Sequence, residues 1–264
     1  MARSVVDCPT YDRQLLLLGP KRNAVLELAE IERYGRESYG DPDYVSIYGM
    51  RPAEWYAMGV RLLGRTAVEC TRDALGHAIA REVATVAASA SERGVLVLDP
   101  FAGSGNTLYW LLRHLPGARG EGFEVDRDVF ALTQKNLALL GRDIHVQHTD
   151  YRSGLAGIAA GARLVVAFIA PPWGHALHPS SGLDLRRTEP PIAEVVDLLG
   201  EHWRSNRLLV AVQVFEKVDE GSLAEVRARF AWSALRLSSL NAPGSNHGIL
   251  MGTMGWRPRE ETLS

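Results

Sequence analysis

The spacing of apolar residues divides this chain in two. From residue 95 onward, short runs of aliphatic residues alternate with stretches whose apolar positions recur every three or four residues. That alternation predicts strand–helix units. Strands are predicted over 95–99, 120–125, 144–147, 164–169 and 207–215, and helices over 106–115, 127–140, 152–159, 190–203 and 220–229. Two late strands, near 232–239 and 248–254, are joined by the loop NAPGSNHG (241–248) with no helix between them, and so should run antiparallel. Before residue 95 the period is helical. Helices are predicted over 21–34 (Val25, Leu28, Ala29 and Ile31 on one face), over 53–63 behind Pro52, and over 69–88. Residues 1–20 read as irregular, 35–52 as a loop rich in Gly, Asp and Tyr, and 257–264 as a frayed tail.

Composition narrows the function classes. The chain has 264 residues, 46% hydrophobic and 23% charged, with a formal net charge of −2. Such a chain can bury a substantial core. The charge gives no global attraction to nucleic acid or anionic membrane. Cys8 and Cys70 make neither a metal-ligand spacing nor a disulfide framework, which suits a reducing cytoplasm. The only early apolar run, Leu15–Leu18, is too short for a signal sequence, and no stretch approaches the roughly 20 apolar residues of a membrane span.

The chemistry is concentrated first in VLVLDPFAGSGNTLYWLL, residues 95–112, which reads as strand, tight glycine turn and helix. Such turns lie at the carboxyl ends of parallel strands, where open α/β sheets bind ligands. The third glycine of a dinucleotide fingerprint is replaced by Leu108, and the lysine of a phosphate loop is absent. DPFAGSGNT instead resembles motif I of the class I S-adenosylmethionine-dependent methyltransferases, and most of all the DPF-x-GSG-T turn of amino-group methyltransferases acting on nucleobases. The resemblance implies an α/β fold of Rossmann-like type: a seven-stranded, mostly parallel sheet with an antiparallel C-terminal strand. Residues 91–258 would then form the S-adenosylmethionine-binding domain, and residues 1–90 a helical extension or lid.

Glu124 ends the second predicted strand, 21 residues after Gly103. A carboxylate there can accept both hydroxyls of a ribose, and the resemblance places the acid of motif II at Glu124, with Val125 beside it. Asp126 fits an N-cap for the next helix. In the resembled family, the acid matching Asp150 accepts the adenine amine and the residue matching Tyr151 lies near the base; Asp150 could equally cap a helix. Asp99 would lie near the methionine amino group or the turn's own N–H groups, with Phe101 as a wall. Gly103 and Gly105 would free the turn, and Asn106 and Thr107 would hold the methionine end or cap the helix.

The second concentration is VVAFIAPPWGHALHP, residues 165–179. Pro171 and Pro172 fix the backbone after a buried strand, aiming the Ala170 carbonyl and the Trp173 ring at one spot. APPW resembles motif IV, (Asp/Asn/Ser)-Pro-Pro-aromatic, of amino methyltransferases, and its Pro-Pro-Trp-Gly form resembles trimethylguanosine synthases. Ala170 lacks the side-chain acceptor of that motif, which opens carbon, oxygen or other nitrogen atoms of a small molecule as targets. His175 is a candidate base. His175 and His178 lack a third ligand, so no metal is expected. Arg186 and Arg187 could hold an anion. Tyr44, Tyr48, Glu54, Trp55 and Tyr56 could form an aromatic lid. Asn241, Asn246 and His247 could reach the site from the hairpin loop.

The expectation is an S-adenosylmethionine-dependent methyltransferase acting on a small-molecule acceptor. The alternatives are a nucleobase or RNA-cap amino methyltransferase and a catalytically inactive cofactor-binding subunit.

Overall fold

The structure is a computed structural model and describes residues 11–141, 144–158, 161–178, 180–238 and 247–259. In chain order the elements are α1 (Arg13–Leu17), α2 (Leu28–Tyr39), α3 (Pro52–Ala57), α4 (Gly64–Glu69), α5 (Asp73–Ala88), β1 (Val95–Asp99), α6 (Asn106–His114), β2 (Arg119–Glu124), α7 (Arg127–Leu139), β3 (His145–His148), α8 (Tyr151–Leu155), β4 (Leu164–Ile169), β5 (Leu177–His178), β6 (Gly182–Leu183), α9 (Ile192–His202), β7 (Arg207–Phe215), α10 (Glu220–Arg227), β8 (Trp232–Ser238) and β9 (His247–Met254).

Seven strands form one sheet in the order β3-β2-β1-β4-β7-β9-β8, and β5 and β6 make a small separate hairpin. The pairs from β3 through β7 are parallel, while β9 is antiparallel to both β7 and β8. The last strand is therefore inserted between two others and runs against them, as the sequence led us to expect. Strand order reverses between β1 and β4, which places a switch point at the carboxyl end of β1.

Alternating side chains along each strand feed two cores. Leu96 and Leu98 face a layer containing Tyr151, Val196 and Val226 from α8, α9 and α10. Val97 faces the other layer, where Ile79 and Val83 of α5 and Leu108 and Leu111 of α6 cover Val166 and Leu209. A third cluster gathers Leu16, Ile31, Tyr34, Ile47 and Trp55 and packs onto Ala102, Tyr109, Leu137 and Val146. The N-terminal elements are thus seated on the first two strand–helix units.

From β1 onward the predicted strands and helices fall within two residues of the observed ones, except that α8 is shorter than predicted and the β5–β6 hairpin was unforeseen. The N-terminal expectations need more correction. A helix, α1, interrupts the stretch read as irregular, and Asp12 caps it by accepting the Leu15 N–H at 2.9 Å. The helix expected over 21–34 begins at Leu28 and continues to Tyr39, into the expected loop. Residues 25 and 26 are drawn into extended pairing with Leu63 and Leu62 instead, and Gly40 in left-handed backbone (φ +71°) ends the helix. The helix expected over 53–63 stops at Ala57, and α4 follows as a separate piece. The helix expected from 69 begins at Asp73. The connection 241–246 and the tail beyond 259 lie outside the described residues, so Asn241 and Asn246 have no assigned place.

Candidate active site

The turn after β1 is held from every side before any ligand is considered. Gly103 and Gly105 adopt φ of +50° and +74°, a region open to glycine at little cost. The Glu124 carboxylate accepts the Gly103 N–H at 3.0 Å through one oxygen and the Asp126 N–H at 2.7 Å through the other. The Thr133 hydroxyl donates to the Gly103 carbonyl at 2.7 Å. The Ala102 N–H donates to the Phe123 carbonyl at 2.9 Å. Asp99 accepts the Phe101 N–H at 3.0 Å.

This turn forms one wall of a cleft of about 800 Å³ that runs along the carboxyl edge of the sheet and under the N-terminal segment. Asp99 is 1% exposed. Burial, with the nearby Glu124 charge, pushes its carboxyl up to about 7 against the Phe101 hydrogen bond. Burial also raises Glu124, against its two backbone bonds. Among the described residues neither acid has a lysine, arginine or histidine nitrogen within 4 Å. Asp126 differs: it caps α7 by accepting from Asp128 and Val129, and it pairs with Arg65 at 2.6 Å. Asp150 caps α8 by accepting the Arg152 N–H at 2.9 Å, and still borders the cleft. The Phe101 and Tyr151 rings meet at 5.3 Å beside it.

The far half of the cleft begins at Ala170, Pro171, Pro172 and Trp173, directly after β4. The Trp173 ring stacks on His247 (5.2 Å, 23°) and meets Phe215 edge-on at 6.3 Å. Phe215 and His247 are cross-strand partners at the ends of β7 and β9. A polar chain supports this group: Thr71 Oγ1 lies 2.8 Å from Gln213 Oε1, and Gln213 Nε2 lies 3.2 Å from His247 Nδ1. Burial, helped by the charges of Arg72 and Arg13, pushes the His247 ring down to about 4 and keeps it neutral at physiological pH. Opposite, Tyr39 and Tyr44 stack at 3.5 Å, and the Arg72 guanidinium lies 3.9 Å over the Tyr44 ring. Burial pushes the Cys70 thiol up to about 12, so it remains protonated there.

Fifteen of the residues singled out from sequence border this one cleft: Tyr44, Asp99, Phe101, Gly103, Thr107, Glu124, Val125, Asp126, Asp150, Tyr151, Ala170, Pro171, Pro172, Trp173 and His247. Others do not. Gly105 packs behind the turn, where an added Cβ would meet Leu137 and Thr133 at 3.6–3.7 Å. Asn106 is 1% exposed and faces the N-terminal segment: its Oδ1 accepts the Tyr48 N–H, and its Nδ2 donates to the Thr71 carbonyl and to Asp73. His175 lies on a short 3-10 turn with its ring exposed, 3.8 Å from Glu189, away from the cleft. His178 bonds Ser180, and Arg186 is held by Asp184 and Asp219, so neither reaches the site. Of the aromatic lid, only Tyr44 borders the cleft. Trp55 is core and donates to the Val45 carbonyl, the Tyr48 hydroxyl donates to the Ser104 carbonyl, Tyr56 bonds Glu27, and Glu54 pairs with Arg51.

The structure adds Arg13, Arg22, Tyr39, Glu69, Thr71, Arg72, Gln213 and Phe215 to the cleft wall. Gln213 alone left a trace in the sequence, as the one polar residue of the strand VAVQVF. Among the described residues no group of three or more His, Cys, Asp or Glu could hold a metal ion. No helix among them is long and apolar enough to cross a membrane.

No family model and no curated protein matches this chain. Solved structures do resemble it distantly. One is a Listeria monocytogenes protein assigned to the class I S-adenosylmethionine-dependent methyltransferases, with 16% identity over 72% of this chain and a TM-score of 0.48. The present chain spans 63% of that protein, less than two thirds of its length. A precorrin-6Y C5,15-methyltransferase from Geobacter metallireducens shares 10% identity over 72% of this chain and 90% of its own, at a TM-score of 0.46. Human methyltransferase-like protein 13, in complex with S-adenosylhomocysteine, shares 15% identity over 71% of this chain and 86% of its own, at 0.45.

Proposed function

We propose that this chain is an S-adenosylmethionine-dependent methyltransferase whose acceptor is a small molecule. One observation carries the reading: a buried carboxylate, Asp99, and a half-buried one, Glu124, flank a glycine turn at the sheet's switch point, and among the described residues neither forms a salt bridge. Buried charge normally finds a partner, and a ligand bearing both a ribose and positive charge meets that need. Glu124 keeps unused lone pairs to accept ribose hydroxyls, Asp99 faces the cationic end, and Phe101 and Tyr151 border the position of a planar base.

When bound, the cofactor supplies an activated methyl group. The protein's task is then alignment of donor and acceptor for in-line displacement. Trp173, fixed between His247 and Phe215, offers a flat face for the acceptor. Pro171 and Pro172 hold that face after β4, and Ala170 leaves no side-chain acceptor beside it. The amino-group motif places such an acceptor there, so its lack favours a target other than an exocyclic nucleobase amine. Gln213 donates to Nδ1, so the neutral His247 carries its proton on Nε2 and can donate one hydrogen bond there without carrying charge.

Calorimetry with S-adenosylhomocysteine tests the cofactor assignment. Glu124→Ala should lose binding while retaining its circular dichroism spectrum; unchanged affinity would remove the assignment. Trp173→Ala should bind S-adenosylhomocysteine normally, yet fail to pass label from methyl-labelled cofactor to acceptors in cell extract. Label transfer at the wild-type rate would return Trp173 to a packing role.

A further inference from the structure

The two ends of the cleft differ in charge. The end beside the glycine turn holds the acids Asp99 and Glu124, neither in a salt bridge among the described residues. The opposite end holds Arg13, Arg22 and Arg72, and among the described residues none of these has a carboxylate within 4 Å. They are close enough to act as a group. Arg13 and Arg72 both bear on the ring of His247, and Arg13 and Arg22 both bear on Glu69. Glu69 lies among them and also feels Arg65 and Glu124, so guanidinium groups outnumber carboxylates around it in a chain whose net charge is −2. Arg72 is also pre-shaped: it lies over Tyr44, donates to the Tyr44 hydroxyl, and Tyr44 is backed by Tyr39. Across the cleft stand the Trp173 and His247 rings.

We propose, on the methyl-transfer reading above, that the acceptor is a planar aromatic molecule carrying a carboxylate or phosphate, its ring on Trp173 and its anion on Arg13 and Arg72. Flat rings recognise flat rings by stacking. Arginine matches the planar fork of carboxylate and phosphate through paired, charge-assisted hydrogen bonds. The positive ligand and the negative one are thereby sorted to opposite ends of one cleft, which also orients them toward each other. Arg186 and Arg187, the anion-holding pair anticipated from sequence, leave this role open, because Arg186 is already engaged by two aspartates.

The test uses the full chain saturated with S-adenosylhomocysteine and two matched probe pairs, 2-naphthoate with 2-naphthamide and guanosine 5′-monophosphate with guanosine. Binding of S-adenosylhomocysteine is measured first, and its failure would strike the cofactor reading and not this one. With the cofactor product bound, at least one anionic probe should bind tenfold or more tightly than its neutral partner. Which pair responds separates a carboxylate source from a phosphate source. Arg13→Gln, at an exposed side chain, should reduce that advantage severalfold and Arg72→Gln should abolish it, both with S-adenosylhomocysteine affinity unchanged. Equal or undetectable binding within both pairs overturns the proposal. So does a loss of S-adenosylhomocysteine affinity in the arginine variants, which would assign these residues to the cofactor's own carboxylate. Preference for an oligoribonucleotide with a steep salt dependence overturns it as well, in favour of an RNA acceptor.

Discussion

Asp99 is the residue through which pH should reach this protein. Its carboxyl is held up to about 7, so below that value it is protonated and neutral, and above it is an anion. A cationic sulfonium ligand favours the anion. Affinity for S-adenosylmethionine should therefore climb as pH rises from 5.5 toward 7 and level off above, with protons released on binding. Calorimetry across that range, in buffers of different ionisation enthalpy, measures both, and Asp99→Asn should flatten the profile. The empty protein has the opposite dependence. A carboxyl raised above its unfolded value of 3.8 favours the folded state in acid, and that contribution is lost as pH rises through about 7. Asp99, Gly103 and Glu124 were readable from sequence because strand, turn and helix place them at fixed local spacing. Arg13, Arg72 and Phe215 were not, and His247 was anticipated only as part of the hairpin loop: they meet because the sheet brings β7 and β9 beside the N-terminal segment. No spacing along the chain encodes that meeting.

Among the elements, the strands and helices after residue 95 followed their apolar period closely, since each buries a face against the same sheet. The N-terminal helices departed from theirs. Residues 25 and 26 had helical spacing, yet pairing with Leu62 and Leu63 was the stronger claim on their backbone. Short helix α8 is set by a glycine that periodicity could not flag. A Cβ on Gly154 would come within 2.3 Å of the Phe123 ring, which is fully buried. Gly154→Ala should thus destabilise the fold by about 1–3 kcal/mol, the usual cost of overpacking a core, despite alanine's better helix propensity. Urea unfolding would measure it, and a stabilised variant would mean that α8 can shift off β2. Tyr151, in contact with Phe101, begins the same single turn of helix, so cofactor affinity should weaken alongside.

At the scale of the molecule, two buried asparagines tie the N-terminal segment to the sheet domain as a second strand would. Asn136 of α7 accepts the Arg61 N–H at 3.0 Å and donates to the Arg61 carbonyl at 2.8 Å. Asn106 of α6 bonds Tyr48, Thr71 and Asp73. Asn106→Ala leaves the Tyr48 N–H and the Thr71 carbonyl without that partner at a position only 1% exposed. A loss of about 1–3 kcal/mol follows for each buried group so orphaned. The fall in thermal midpoint should come with faster amide exchange over residues 46–73, while residues 95–99 stay protected. Uniform exchange across both regions would mean that the two parts open as one.

The glycine turn is braced by Glu124 and Thr133, groups of the protein itself. A turn held in this way does not rely on its ligand for its shape, so capture there is governed by how often the ligand finds the mouth of the cleft. Any difference in grip between fresh and spent cofactor must then appear as a difference in dwell time, and turnover becomes a matter of how readily the product lets go.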